Sequence, residues 1–391
     1  MTPFRDFWFE LLAWLIVAVF CTAVVIPIWI RRHPEARGLP PPGGRYDVPW
    51  TGWEILLAFF LTYLFWPSLV GFCLDHTGFL TLVYGEEASS DPGALNQVAK
   101  ERHNLWITLW IFPLNLATVL LLFRLVSGTG GHQLGMAIRS PRQDLALACL
   151  SLLIIAPIIL ALNFLVFLGY LALTGREPEP HPLQQLIERS PLMIDAVLTA
   201  IAALIIAPIW EEFVFRGVIQ VWMGQRERRA HFGVSIAFFI GLCAALANFE
   251  KNDSFDLGNI LVNLSPIIFV IMVVCGYFFL DRIPFRWGSD VNVTRGIYAA
   301  SFLFGMVHFF AWPTPIPLFF LGLALGCLAY RTQSLLAPIL FHSLFNTIAC
   351  ISLLLLQLAP EPKNGREAIS AGTRPGPTIT STRVPGVWQL R

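Results

Sequence analysis

Three short constellations of polar residues stand inside apolar sequence at spacings that suit one face of a helix. In Glu211-Glu212-Phe213-Val214-Phe215-Arg216, two adjacent carboxylates and an arginine interrupt a long apolar run. Four residues apart on a helix, Glu212 and Arg216 can pair, while Glu211 points about 100° away from Glu212 and is left for other work. Phe304 and His308 are also four apart, so the ring can wall the histidine's pocket. His342 and Asn346 repeat the spacing and present two hydrogen-bonding groups on one face. Charge inside a bilayer costs several kcal/mol, so such groups are rare there and mark working sites. The rest of the chain is read as a membrane scaffold that brings His308, His342 and Asn346 to Glu211, so that a carboxylate and hydrogen-bonding groups meet at one place.

The same residues admit other chemistry. Glu211, His308 and His342 would make three ligands of a divalent metal such as zinc, with water as the fourth, although HExxH is absent. The residues alone do not require a cofactor. A serine mechanism lacks a GxSxG sequence, and Ser301 and Ser343 have no evident base. The carboxylates and histidines would also serve as the proton relay of a coupled transporter. A non-catalytic membrane scaffold or immunity protein that kept the pocket is a further reading.

The elements that must position these groups follow from composition. Of 391 residues, 56% are hydrophobic and 13% charged, and the mean hydropathy is +0.66. These values imply an all-α, polytopic integral membrane bundle and exclude an ordinary soluble domain. A net charge of +1 gives no case for a nucleic-acid partner. Seven cysteines form no CxxC pair, so neither a zinc knuckle nor a disulfide framework is indicated. The apolar run from Phe7 to Ile30 is too long for a signal peptide and is followed by Arg31-Arg32, so it is expected to remain as a span.

About ten transmembrane helices are expected, near 8–30, 52–74, 104–127, 144–173, 193–225, 232–248, 259–280, 296–312, 315–330 and 335–357. The proline-rich stretch from Pro313 to Pro317 is either a tight turn or a break inside a re-entrant element. Arginine-rich loops mark the cytoplasmic side, so the first span runs from outside to inside. Counted from the nearest cytoplasmic arginine (Arg226, Arg295 or Arg331), Glu211, His308 and His342 lie about 22, 20 and 16 Å deep at 1.5 Å per residue. They can therefore share one layer. Six other histidines fall in loops or at helix ends. Pro208 allows a kink just before the carboxylates. The chain divides into a region of about four spans (1–192), a region holding all three constellations (193–357) and a tail rich in Pro, Gly and Thr that is expected to be disordered (358–391).

The three constellations, EExxxR at Glu211–Arg216, FxxxH at Phe304–His308 and HxxxN at His342–Asn346, resemble the motifs of the CPBP family. That family comprises CAAX prenyl proteases of type II and the related Abi and bacteriocin-processing proteins. The resemblance covers roughly 193–357. The interval between Arg216 and Phe304 exceeds the family's usual spacing and is expected to hold an additional helix pair around Asn252-Asp253-Ser254. The resemblance implies an intramembrane endopeptidase in which Glu211 activates water with help from His308. His342 and Asn346 would form the oxyanion hole, and Glu212 and Arg216, with Phe304 as a wall, would hold the site. It implies a membrane protein or lipidated peptide as substrate, the lipid bilayer as surroundings, and a multi-pass location in the cell (inner or plasma) membrane.

Overall fold

The computed structural model describes residues 48–89, 95–137, 140–175, 192–249, 257–282 and 291–358, with Val17 and Ile28 as isolated helical positions. The span expected near 8–30, the loop around Asn252-Asp253-Ser254 and the tail beyond 358 lie outside the described residues. Among the described residues there is no strand. The helices are α1 Gly52–Thr77, α2 Phe79–Ser89, α3 Leu95–Ser127, α4 Pro141–Thr174, α5 Met193–Met223, α6 Glu227–Phe249, α7 Leu257–Phe279, α8 Val291–Met306, α9 Pro315–Thr332 and α10 Leu336–Leu358. Six of these, α1, α3, α4, α5, α6 and α9, contain stretches long and apolar enough to cross a membrane, and α7 and α10 carry shorter apolar stretches. The chain forms two compact units, Met1–Ile348 and Ala349–Arg391, and the second is described only as the end of α10.

The stretch 296–330 is two helices. α8 stops at Met306, one 3-10 turn follows at Phe309–Ala311, and α9 starts at Pro315. Proline suits a first helical turn because its missing N–H would have had no partner there. α8 is the centre of the bundle. Every residue from Gly296 to Met306 is buried, with α6 and α9 packed against it. A helix that is apolar all round has no lipid-facing side to keep and is enclosed by other helices.

Small residues set how closely these helices approach. Arg216 Nη2 donates to Gly322 O at 3.3 Å, and Gln220 Nε2 donates to Gly326 O at 3.0 Å. Two side chains one turn apart on α5 thus bind two carbonyls one turn apart on α9, where the Gly322–Gly326 spacing bares the backbone. At the other crossing, a Cβ on Gly296 would stand 2.5 Å from Gly224 N and 2.6 Å from its Cα. Backbone cannot swing aside as a side chain can. Gly296→Ala is therefore expected to cost about 1–3 kcal/mol, as overpacked cores do. Gly169→Ala on α4, where a Cβ meets nothing within 4 Å, should be neutral or stabilising. Thermal melting of both variants in detergent checks this, and equal melting temperatures would contradict the close approach.

The start of α5 is fixed from the N-terminal region. Asp195, fully buried, accepts from Arg102 Nε and from Tyr84 OH, each at 2.7 Å. The Arg102 guanidinium lies 4.5 Å from the Tyr84 ring centre. Burial and the bond to Asp195 push the Tyr84 phenol up to about 12, so it stays a donor at all ordinary pH. Glu54, at the start of α1, accepts from the Thr51 backbone at 2.7 Å and from the Ser127 hydroxyl, tying α1 to the end of α3.

Candidate active site

α5 is not a uniform helix. π turns at Ala202–Ile206 and Phe213–Ile219 flank the α-helical stretch Ala207–Glu212. The first ends immediately before Ala207-Pro208, so the disturbance that a proline brings to a helix is absorbed in a widened turn. Such turns recur at functional sites, because one extra residue per turn re-aims the side chains that follow. Here they bracket the two carboxylates.

Glu212 is the junction of the buried network. Arg216 Nη1 and His342 Nδ1 both meet its Oε1 at 3.0 Å. The Arg216 guanidinium also lies 4.4 Å from the centre of the Phe304 ring and reaches Gly322 O on α9. The pairing of Glu212 with Arg216 follows the sequence spacing. The share taken by His342 does not, and it joins α10 to α5 through the carboxylate assigned to structure.

Glu211 faces the other way, 22% exposed, between both histidines. Its Oε1 is 3.9 Å from His308 Nε2, and its Oε2 is 3.9 Å from His342 Nε2. The far nitrogen of each ring is engaged. His308 Nδ1 lies 2.8 Å from Phe304 O, a carbonyl in the last turn of α8 that has no partner further along the helix. The FxxxH spacing thus reads physically as a histidine that caps the carbonyl four residues back. The Phe304 ring stands edge-on to both imidazoles, with centres 5.1 Å from His308 and 6.1 Å from His342. A carbonyl and a carboxylate paired with arginine can only accept, so Nδ1 carries the proton in both histidines. In the neutral rings both Nε2 atoms then carry lone pairs, 3.9 Å from the Glu211 carboxylate. Three acceptors converge at separations too long for hydrogen bonds, an arrangement completed by a donor shared among them or by a proton on an imidazole.

Asn346 is placed differently. Its Nδ2 donates to Ala203 O at 2.9 Å, in the first π turn of α5. A π turn shifts the backbone ladder and leaves a carbonyl for an outside donor. The two polar residues of HxxxN therefore bind two different turns of α5, and one amide hydrogen of Asn346 remains for another acceptor. Among the described residues, no group of three His, Cys, Asp or Glu side chains is arranged to hold a metal ion.

One neighbour of the site has no counterpart in the motifs. Trp210 Nε1, beside Glu211 in the chain, donates to Tyr63 OH at 3.3 Å. Tyr63 stacks on Phe59 at 4.9 Å and belongs to a π turn of α1, Leu61–Phe65. The only sequence signal was an aromatic run in a span far from the motifs.

The fold and the site define a class: a multi-pass integral membrane protein with a carboxylate–histidine cluster carried on α5, on the turn after α8 and on α10. The family model described as Rce1-like, type II CAAX prenyl endopeptidase, matches residues 193–283 and 280–348. That is less than half of the chain, but it holds all three motifs, and the resemblance they carry is borne out there. The match covers α6 and α7, the two helices between Arg216 and Phe304, within its first piece. No curated protein and no solved structure matches the chain.

Proposed function

We propose that this protein is an intramembrane endopeptidase that cuts a peptide bond of a membrane-associated protein or lipidated peptide in the cell membrane, using water activated by Glu211. The observation that carries this reading is the convergence of His308 Nε2 and His342 Nε2 on the two oxygens of Glu211. A water held among the three groups donates to Glu211 and gives it a proton as the oxygen attacks the scissile carbonyl carbon. His308, fixed through Nδ1 by Phe304 O, orients that water. The carbonyl oxygen becomes an oxyanion, and a protonated His342, held through Nδ1 by Glu212, directs Nε2–H toward it. Asn346 contributes its second amide hydrogen. The C–N bond then breaks, and the proton on Glu211 passes to the leaving amine. Glu212, Arg216 and Phe304 hold the geometry.

Glu211, His308 and His342 also have the donor chemistry that zinc prefers, and that donor set, although its side chains are not arranged around an ion, is what a second, metal-dependent reading rests on. In that case the ion would supply Lewis acidity to the bound water. The readings part on a simple measurement. In the proposed mechanism, purified enzyme should keep its peptide cleavage after a strong chelator, whereas loss of activity that added zinc restores would establish the second. His342→Ala and Asn346→Ala should lower kcat with little change in KM, because an oxyanion hole acts in the transition state. The loss should be the larger for His342, about 10²–10³-fold for an oxyanion donor. A rise in KM alone would move both residues to substrate binding.

A further inference from the structure

A groove of about 280 Å³ runs between α6 and α7 at the arginine-rich end of the bundle, lined by His231, Val234, Ser235, Phe238, Val274, Tyr277 and Phe278. Its walls are apolar. Its polar side chains gather toward the start of α6, where His231 packs against Tyr277 at 5.5 Å and Phe278 at 6.0 Å between ring centres. Arg228 stands three, seven and ten residues before His231, Ser235 and Phe238, so helical spacing places it on their face of α6, at the start of the helix. From the other wall, Arg282 follows α7 with its guanidinium 5.1 Å from the Phe279 ring centre. Arg226 and Arg228 are exposed. The acid among them, Glu227, is held by Arg295 at 2.9 Å, with His231 at 3.6 Å. Asp281 adjoins Arg282 in sequence.

We propose that this groove holds one anionic phospholipid, with an acyl chain along the aromatic wall and the phosphate at the Arg228–Arg282 rim. The charge pattern selects the ligand. Basic pockets between helices on the cytoplasmic side suit anionic headgroups, and each arginine near such a surface is worth about fivefold in binding. A zwitterionic lipid offers the same chains, but its own cation opposes the rim. The groove lies apart from Glu211, so the proposal does not rest on proteolysis.

The test is native mass spectrometry of the purified full chain with equimolar phosphatidylglycerol and phosphatidylcholine of identical chains. Wild type should retain phosphatidylglycerol about tenfold over phosphatidylcholine. The Arg228→Ala/Arg282→Ala variant, changed only at the rim, should keep its melting temperature and retain both lipids equally. Ser235→Trp fills the groove and leaves the charges, and it should lose the bound lipid. Equal retention of the two lipids by wild type would overturn the proposal. So would undiminished phosphatidylglycerol binding by a folded Ser235→Trp protein, which would place the lipid elsewhere. Free glycerol phosphate should fail to displace the lipid, and displacement would overturn the part assigned to the acyl chain.

Discussion

Glu211→Gln should leave a folded protein whose peptide cleavage is slower by about 10²–10⁴-fold, the usual cost of losing a general base. The amide keeps the size and polarity of the side chain but cannot take a proton from water. Glu211 is also the carboxylate that the fold can spare. It is 22% exposed and stands 3.9 Å from each of His308 and His342, beyond hydrogen-bond distance, whereas Glu212 is fully buried and bonded twice. The measurement is turnover of quenched C-terminal peptides, lipidated and plain, by purified protein in detergent. Full cleavage by Glu211→Gln would remove Glu211 from the role of base. Unchanged melting of the variant would show that any loss is chemical.

Glu212→Ala and Arg216→Ala should act on the fold instead. Each leaves one charge of a pair that is at most 1% exposed without its counter-ion, and such losses cost about 3–5 kcal/mol. Glu212→Ala also frees His342 Nδ1, and Arg216→Ala frees Gly322 O and uncovers the Phe304 ring. Both variants are expected at strongly reduced levels of folded protein in the membrane. Replacing both residues with apolar ones should be milder than either single change, since no bare charge is left, and a double-mutant cycle of melting free energies reads the coupling. Wild-type levels for both single variants would contradict the pair.

What the sequence revealed and what it hid have separable causes. Local spacing was informative because i,i+4 neighbours meet on any helix. Glu212 with Arg216 and Phe304 with His308 are in contact as their spacing suggests. Depth counted at 1.5 Å per residue brought Glu211, His308 and His342 to one layer, and the fold brings each histidine within 3.9 Å of Glu211. Three features could not be read. The π turns on both sides of Ala207–Glu212 leave no clear periodicity signal, so the choice of Glu212 by His342 Nδ1 was hidden. α8 is buried on all faces, so its hydrophobic pattern gives no orientation, and the prolines after it read equally well as a turn or a break. The contacts of Tyr63 with Trp210, and of Tyr84 and Arg102 with Asp195, join residues 147, 111 and 93 positions apart. No local pattern encodes such pairings, although a carboxylate at the head of an apolar run, as Asp195 is, asks for a partner.

The most direct measurement of the central claim is a mass-spectrometric comparison of protein C-termini in membranes that hold either wild type or Glu211→Gln at equal levels. The proposed hydrolysis predicts shortened C-terminal peptides from membrane-associated proteins in the wild-type membranes alone. An identical set of C-termini in the two membranes, with wild type folded and present, would contradict it.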